Sequence, residues 1–563
     1  MRSSRHSAAS SQAGIRYRFD GVVAEEISAR LCSASDLNSM PMKTARRQFL
    51  KGTGSVAAGF LGLQRLLESP AFAKQDYQSE IIGYGKLVKD AKRIFDLPEG
   101  FSYRVLSSTG DRMTDGLKVP GSPDGMAAFE QEDGRIVLVR NHELDDFTMH
   151  AGAYGISNEL FPSVDKNKVY DAGKGERPQL GGTTTIVYDP KTGIVEKQFL
   201  SLACTARNCA GGPTPWGSWV TCEETVIRPK SEGELKKEKE EKEKKEKEQK
   251  KKEKAEKEGK PYEAPKPKKE KPKEPTAKDF YEKWHGYAFE VPATTEIGLA
   301  DPIPLKDMGR FYHEAVAVDP KSGIVYETED REDGLFYRFI PKEKGNLKAG
   351  GTLQALAVKG KKSCDTRNWP ETGKPQLAKG EALDVEWITM DNIENEKDDL
   401  RERGHKKGAA IFARGEGIWY AKEEHKIYIA FTSGGIAKSG QIFTYEPSEV
   451  EGTDAEKENS GKLTLYLEPN NTQLLQYGDN LTIAPWGDVV LCEDGAEDQY
   501  LRGITTDGKI YTIGRNSYAG NSELSGVCFS GETMFLNIQK PGITLAVNGP
   551  WDKLVKEAEK EEA

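Results

Sequence analysis

The sequence predicts an all-β fold, a β-propeller of about six blades carrying a low-complexity Lys/Glu-rich insertion, and three observations predict it. Short β-branched runs divided by turn residues recur from about Gln75 onward. One turn phrase occurs twice, as IVYDPKTGIVE at 186–196 and VAVDPKSGIVY at 316–326. A second phrase also returns, as PTPWGSWVTCEE at 213–224 and APWGDVVLCEDG at 484–495. Strand–turn units repeated along a long chain are the signature of a propeller; a two-sheet sandwich is the competing arrangement.

Each element follows from local chemistry. In 181–199 a β-branched run meets Asp189-Pro190-Lys191-Thr192-Gly193 and a second strand begins, which is a hairpin signal. Further strands are expected at 135–140, 335–340, 417–431, 488–493 and 533–538. Residues 230–278 hold 20 lysines and 14 glutamates. The first part of this tract suits a helix held by Glu–Lys pairs three and four apart. Pro261, Pro265, Pro267, Pro272 and Pro275 stop it from continuing. The tract reads as a solvated loop insertion.

The N-terminus reads as an address. Arg46-Arg47 precedes Gln48-Phe49-Leu50-Lys51, a close match to the twin-arginine export pattern. A modestly apolar run at 56–63 and the small-x-small site Ala71-Phe72-Ala73 follow. Residues 42–73 are thus a twin-arginine signal peptide and 1–41 an unstructured upstream extension, with 74–563 the propeller domain. The competing reading is an amphipathic helix of a cytosolic protein. No segment is apolar enough for a permanent membrane span.

The net charge is −9, and without the Lys/Glu tract it becomes −15. An acidic body argues against nucleic acid as a partner, since phosphate backbones attract clustered Lys and Arg. The seven cysteines form no CxxC pair, which removes zinc-ribbon and thioredoxin-like chemistry. No GxSxG elbow, P-loop or HExxH motif is present.

Polar residues cluster where strands are expected to end: Asn141-His142-Glu143, Arg207 to Glu224, His313-Glu314, Glu327 to Asp330, Arg414 to Gly417, and Cys492-Glu493-Asp494. Both P-W-G phrases finish in a cysteine and paired acids. If the fold closes, Glu223, Glu224, Glu493 and Asp494 share one mouth, where cations would relieve their repulsion. Such oxygen ligands select Ca²⁺, Mg²⁺, Mn²⁺ or Fe³⁺. Alternatively, each acid pair is simply solvated. Cys222 and Cys492 precede their acids by one residue and face the other side of a strand, as core thiols would. Cys209 sits in a Gly/Pro-rich run that reads as a loop, with no reason to be core, so it is a candidate ligand. His313 is either a ligand or a satisfied core histidine. Arg414 is either a salt-bridge partner or a phosphate clamp.

RNCAGGPTPWGSWVTCEE, the HEAVAVDP run with its ETED, the RGEG run and the final GVCFSGETMFLNIQKPGITLAVNGPW resemble PhoX-type alkaline phosphatases. The resemblance runs in patches from about Ile82 to Trp551 and implies a six-bladed propeller hydrolysing phosphate monoesters. It further implies two ferric ions bridged by a thiolate and an oxo group, with calcium ions alongside. Cys209 would be the bridging thiolate. Glu223 or Glu224, Glu314, Glu416, and Glu493 or Asp494 would be metal ligands; Asn141 and Glu143 would serve calcium. Arg414 would hold the phosphate, with Cys209 and Glu416 also needed for catalysis. The expected partners are a small phosphate ester and the twin-arginine export machinery, for a monomer in the periplasm or secreted. Competing functions are a phosphodiesterase on the same scaffold, a non-catalytic calcium-stabilised binding propeller, and a lactonase-like or sugar-oxidising propeller. The last should lack a thiolate among its carboxylates.

Overall fold

A computed structural model describes residues 77–145, 151–257, 277–373, 377–495, 498–519 and 522–557. The upstream extension, Arg46-Arg47, the cleavage motif and residues 258–276 of the charged tract lie outside the described residues. Among the described residues no helix is long and apolar enough to cross a membrane.

The strands form antiparallel meanders, each beginning on an inner strand and stepping outward. The first comprises Pro123–Glu130, Ile136–His142, Gly181–Asp189 and Ile194–Thr205. The second, of three strands, is Asn208–Pro213, Ser218–Glu223 and Ala288–Pro292. The third starts at His313–Val318 and runs through Val325–Glu329 and Phe336–Pro341 to Gly351–Val358. The fourth runs from Gly415–Ala421 through Lys426–Phe431 and Gln441–Glu446 to Lys462–Leu467. Ala382–Thr389 joins the third and fourth edge to edge. The fifth runs from Gly478–Ile483 to Ile510–Asn516 and adds Phe95–Pro98 and Leu87–Val88. The sixth combines Leu524–Ser530, Thr533–Ile538 and Ile543–Asn548 with the early strand Ser102–Ser108. An early and a late strand of the chain thus share one sheet.

The inner strands close a ring. Pro123–Glu130 packs beside Asn208–Pro213, then His313–Val318, Gly415–Ala421, Gly478–Ile483 and Leu524–Ser530, which returns to Pro123–Glu130. Apolar side chains fill the wedges between successive meanders. Phe336, Phe412, Phe431 and Phe443 lie between the third and fourth, and Trp219 and Phe289 help fill the wedge between the first and second. The inner strands of each sheet are therefore buried on both faces, while outer strands such as Ser102–Ser108 and Ala382–Thr389 stay partly exposed. Cys222 and Cys492 lie in two of these wedges, as the strand pleat predicts.

The repeated turn phrase forms the same turn twice. The carboxylate of Asp189 accepts from the Lys191 amide and the Thr192 hydroxyl, and Asp319 accepts from the Lys321 amide and Ser322 hydroxyl. Gly193 and Gly323 close them at φ +70° and +78°, a region that favours glycine. The first part of the charged tract forms the helix Glu232–Lys257, inserted between the second and third strands of the second meander.

Candidate metal centre

Five meanders enter the ring in one register. The residue opening each inner strand pairs with the last residue of the second strand: Pro123 with His142, Asn208 with Glu223, His313 with Glu329, Gly415 with Phe431, and Gly478 with Glu493. A β-bulge follows each time, before Met126, Gly211, Val316, Ile418 and Leu481. Bulges re-aim side chains. The residues they re-aim are Asp124, Cys209, Glu314, Glu416 and Asp479. In the sixth meander the bulge comes one residue later and Gly526 takes this place; Glu523, just before the strand, contributes instead.

These side chains converge. Ligand atoms of Cys209, Glu224 and Glu314 lie within 4.8 Å of one another, as do those of Glu314, Glu416 and Asp479, and those of Asp124, Glu143 and Glu523. Glu314 belongs to two of the groups. Glu143 and Glu224 come from the position just past the second strand, where Asp330 and Asp494 also stand in their own meanders.

The strand pleat decides between adjacent acids. Glu223, still within the strand, accepts from His285 Nδ1, Ala206 N, Gly286 N and Tyr287 N; Glu224, one residue on, joins the cluster. Glu493 likewise accepts from Gln476 N, Tyr500 N and Arg502 Nε, leaving Asp494 for the mouth. Asn141 donates to the Cys209 and Ala210 carbonyls and accepts from Trp219 Nε1, so it braces the Cys209 strand. His313 is buried, stacks on Phe311 and faces the Gly309 carbonyl, while its neighbour Glu314 enters the cluster.

One local expectation is corrected. Cys209 does not sit in a loop: it is the second residue of a strand and only 4% exposed. The glycines that make this run read as a loop are there for close approach. A Cβ on Gly211 would lie 2.0 Å from the Val220 oxygen, and one on Gly212 1.9 Å from the Val316 oxygen. Asp124, Asp479 and Glu523 escape a reading based on acid pairs, because each is a lone acid beside a strand start. Their signal is position: each sits at the opening of an inner strand, as Glu416 does.

Two arginines reach the cluster. Arg414 donates through Nε and Nη2 to both oxygens of Asp330 at 2.8 Å, and through Nη2 to Glu416 at 2.5 Å. Arg207 donates through Nη2 to Glu143 and Glu224, both at 2.6 Å.

The charge balance asks for cations. Asp124, Glu143, Glu224, Glu314, Asp330, Glu416, Asp479, Asp494 and Glu523 gather here, against Arg207, Arg414 and a more distant Lys540. Burial, then mutual repulsion, raises the affinity of Asp124, Glu314, Glu416 and Glu523 for protons far above the carboxylate range. Burial pushes Asp479 and Glu224 up to about 8 each, the latter despite Arg207. Burial and Glu314 push the Cys209 thiol up as well. Bare, these groups would hold protons; cations in their place turn the same burial into tight ligation. The donor set fits metal ions: hard oxygens for calcium, and a thiolate with two carboxylates for a transition metal.

The ring is narrow beneath the cluster. Gly125, Ala210, Ala315, Gly417, Asn480 and Gly526, one from each inner strand, help line a void of about 20 Å³ that Trp419 also borders. That is room for about one water. A ligand therefore reaches the acids from their own side.

Residues 82–542 match the family model described as alkaline phosphatase PhoX. Among solved structures, Pseudomonas fluorescens PhoX in complex with vanadate, a transition state analogue, is similar at 14% identity and TM-score 0.52, covering 84% of this chain and 98% of that one. Pseudomonas aeruginosa periplasmic gluconolactonase PpgL matches at 11% identity and TM-score 0.35, over 81% and 95% of the two chains. A Staphylococcus aureus virginiamycin B lyase matches at 9% identity and TM-score 0.31, over 80% and 99%. No curated protein matches by sequence.

Proposed function

The chain belongs to the PhoX family of alkaline phosphatases and is a metal-dependent phosphatase, and from that premise we propose that it releases inorganic phosphate from monoesters at a mixed iron–calcium centre. The observation that carries this reading is the convergence of acids and one thiol from the same bulge of five inner strands. Cys209, Glu224 and Glu314 form the group suited to a ferric ion, and Glu416 and Asp479 share Glu314 with it for the second. Asp124, Glu143 and Glu523, all oxygen donors, suit calcium. Asp494 completes the oxygen set on that side.

Bound cations would supply Lewis acidity at the phosphoryl oxygens and lower the pKa of a water. The protein's own part is placement. Arg414 is held rigid by Asp330 and Glu416, and its Nη1 has no partner among the described residues, so one edge of the fork faces the ligand. Asp330 keeps the guanidinium from rotating, so little entropy is lost when phosphate binds. The ring is narrow below the cluster, so little water stands there, which strengthens each of these charges.

The Arg46-Arg47 motif and small-x-small site support twin-arginine export to the periplasm or beyond, a route that carries folded proteins with cofactors in place. We propose a monomer whose substrates are small phosphate esters.

Elemental analysis of the protein purified from periplasm, with p-nitrophenyl phosphate hydrolysis before and after a calcium chelator, tests the reading. Iron and calcium are expected, with activity lost on chelation; Cys209→Ala should lack iron and be inactive. Calcium alone without hydrolysis would overturn the catalytic reading. A metal-replete, active Cys209→Ala would overturn the thiolate's role.

A further inference from the structure

We propose that Arg207 is a second substrate-contacting arginine, which together with Arg414 grips the phosphate from another side of the centre; this rests on the phosphatase reading above. The two arginines are positional equivalents. Each is the residue immediately before an inner strand, in the second and fourth meanders. Each holds a left-handed backbone, φ +49° for Arg207 and +57° for Arg414, a conformation L-residues adopt at a cost.

Each reaches back to the acid that follows the second strand of the preceding meander: Arg207 to Glu143, Arg414 to Asp330. Each also bonds an acid of its own meander, Glu224 or Glu416. The contacts run from Arg207 through Glu224, Glu314 and Glu416 to Arg414, so both guanidinium groups face one centre. Of the other residues at this position, Ser122, Tyr312, Tyr477 and Glu523, none is cationic, although Ser122 and Tyr477 share the left-handed backbone.

Arg207 is also incompletely used by the protein. Its Nη2 makes both ion pairs, and among the described residues its buried Nε has no partner and Nη1 makes no hydrogen bond. Its side chain is 40% exposed, against 32% for Arg414. A guanidinium carries five N–H donors in a planar fork. One that spends a single nitrogen on the protein and opens to the mouth has donors left for a ligand. Two such forks beside a cation cluster suit a tetrahedral anion with several charged oxygens, which is a phosphate monoester dianion or its product.

The test uses the metal-loaded enzyme with Arg207→Lys and Arg207→Met. Iron and calcium content should stay at wild-type levels in Arg207→Lys. In that variant the KM for p-nitrophenyl phosphate and the inhibition constant of inorganic phosphate should each rise about tenfold, the worth of one charged hydrogen bond, and further in Arg207→Met. Both constants staying within about twofold of wild type, with metals intact, would overturn the proposal. So would loss of metal from both variants, since Arg207 would then act only by holding Glu143 and Glu224. A wild-type protein inert toward the ester would sink the phosphatase reading itself, and that is read before any substitution is made.

Discussion

Glu223 and Glu224 are neighbours with opposite duties, and the pleat of one strand separates them. Glu224 enters the metal group, while Glu223 binds His285 at 2.6 Å in a site where neither side chain is exposed. His285 also meets Asp171 at 3.2 Å, so the imidazole is set between two carboxylates. Burial alone would lower its pKa; Glu223 and then Asp171 outweigh that and raise it from 6.5 to about 9. A folded-state pKa above the unfolded one stabilises fully below about pH 6.5 and ceases to do so as pH rises through about 9. The contribution is on the order of 3 kcal/mol. Thermal unfolding of wild type and His285→Gln should therefore differ most near pH 6 and converge above pH 9 or so. A gap that stays constant across that range would show that His285 is not an imidazolium. With His285 an imidazolium, an enzyme working in alkali does so while this brace weakens, so stability and activity should part company with rising pH.

At the scale of the element, the inner strand and its bulge carry both fold and site. Gly212 shows the coupling, because an added Cβ would stand 1.9 Å from the Val316 oxygen and force the second and third meanders apart. Cys209 and Glu314 lie on those two strands. Gly212→Ala should cost about 3 kcal/mol or more and lose metal along with stability. Gly298, with open space around it, is the control: Gly298→Ala should be near neutral. Equal denaturation midpoints for the two variants would contradict the close approach. This crowding also limits what the sequence reveals. The hairpins around Asp189 and Asp319 were legible because β-branched runs and D-P-K-[TS]-G turns are local signals. Glu224 and Asp494 were legible as members of acid pairs, although only the register shows that the second acid of each pair turns inward. Asp124 and Asp479 were not, since a lone acid after a proline or glycine looks like any turn. The run around Cys209 reads as a loop in the sequence because its glycines serve close packing of a strand against its neighbours rather than a turn.

Across the whole molecule, closure and insertion are separate problems. Closure depends on Ser102–Ser108 pairing with Ile543–Asn548, so the ring is completed by an early and a late strand of the described chain. The insertion leaves after Glu224 and returns before Ala288, at the end of the second meander that faces the metal groups. Its helix, Glu232–Lys257, is about 39 Å long at the standard rise. Contacts at its base are ion pairs: Glu234 with Arg228 and Lys278, both at 2.8 Å, and Lys230 with Asp279. None of these residues belongs to the centre, and partly exposed pairs of this kind contribute little, about 0–1 kcal/mol each. Replacing residues 232–276 with a short Gly/Ser linker should therefore leave metal content intact and kcat/KM for p-nitrophenyl phosphate within about twofold. The unfolding midpoint should move by no more than a few degrees, because the wedges between meanders are untouched. A large fall in kcat/KM with metals retained would mean instead that the charged helix, rooted on the side from which ligands enter, takes part in admitting them.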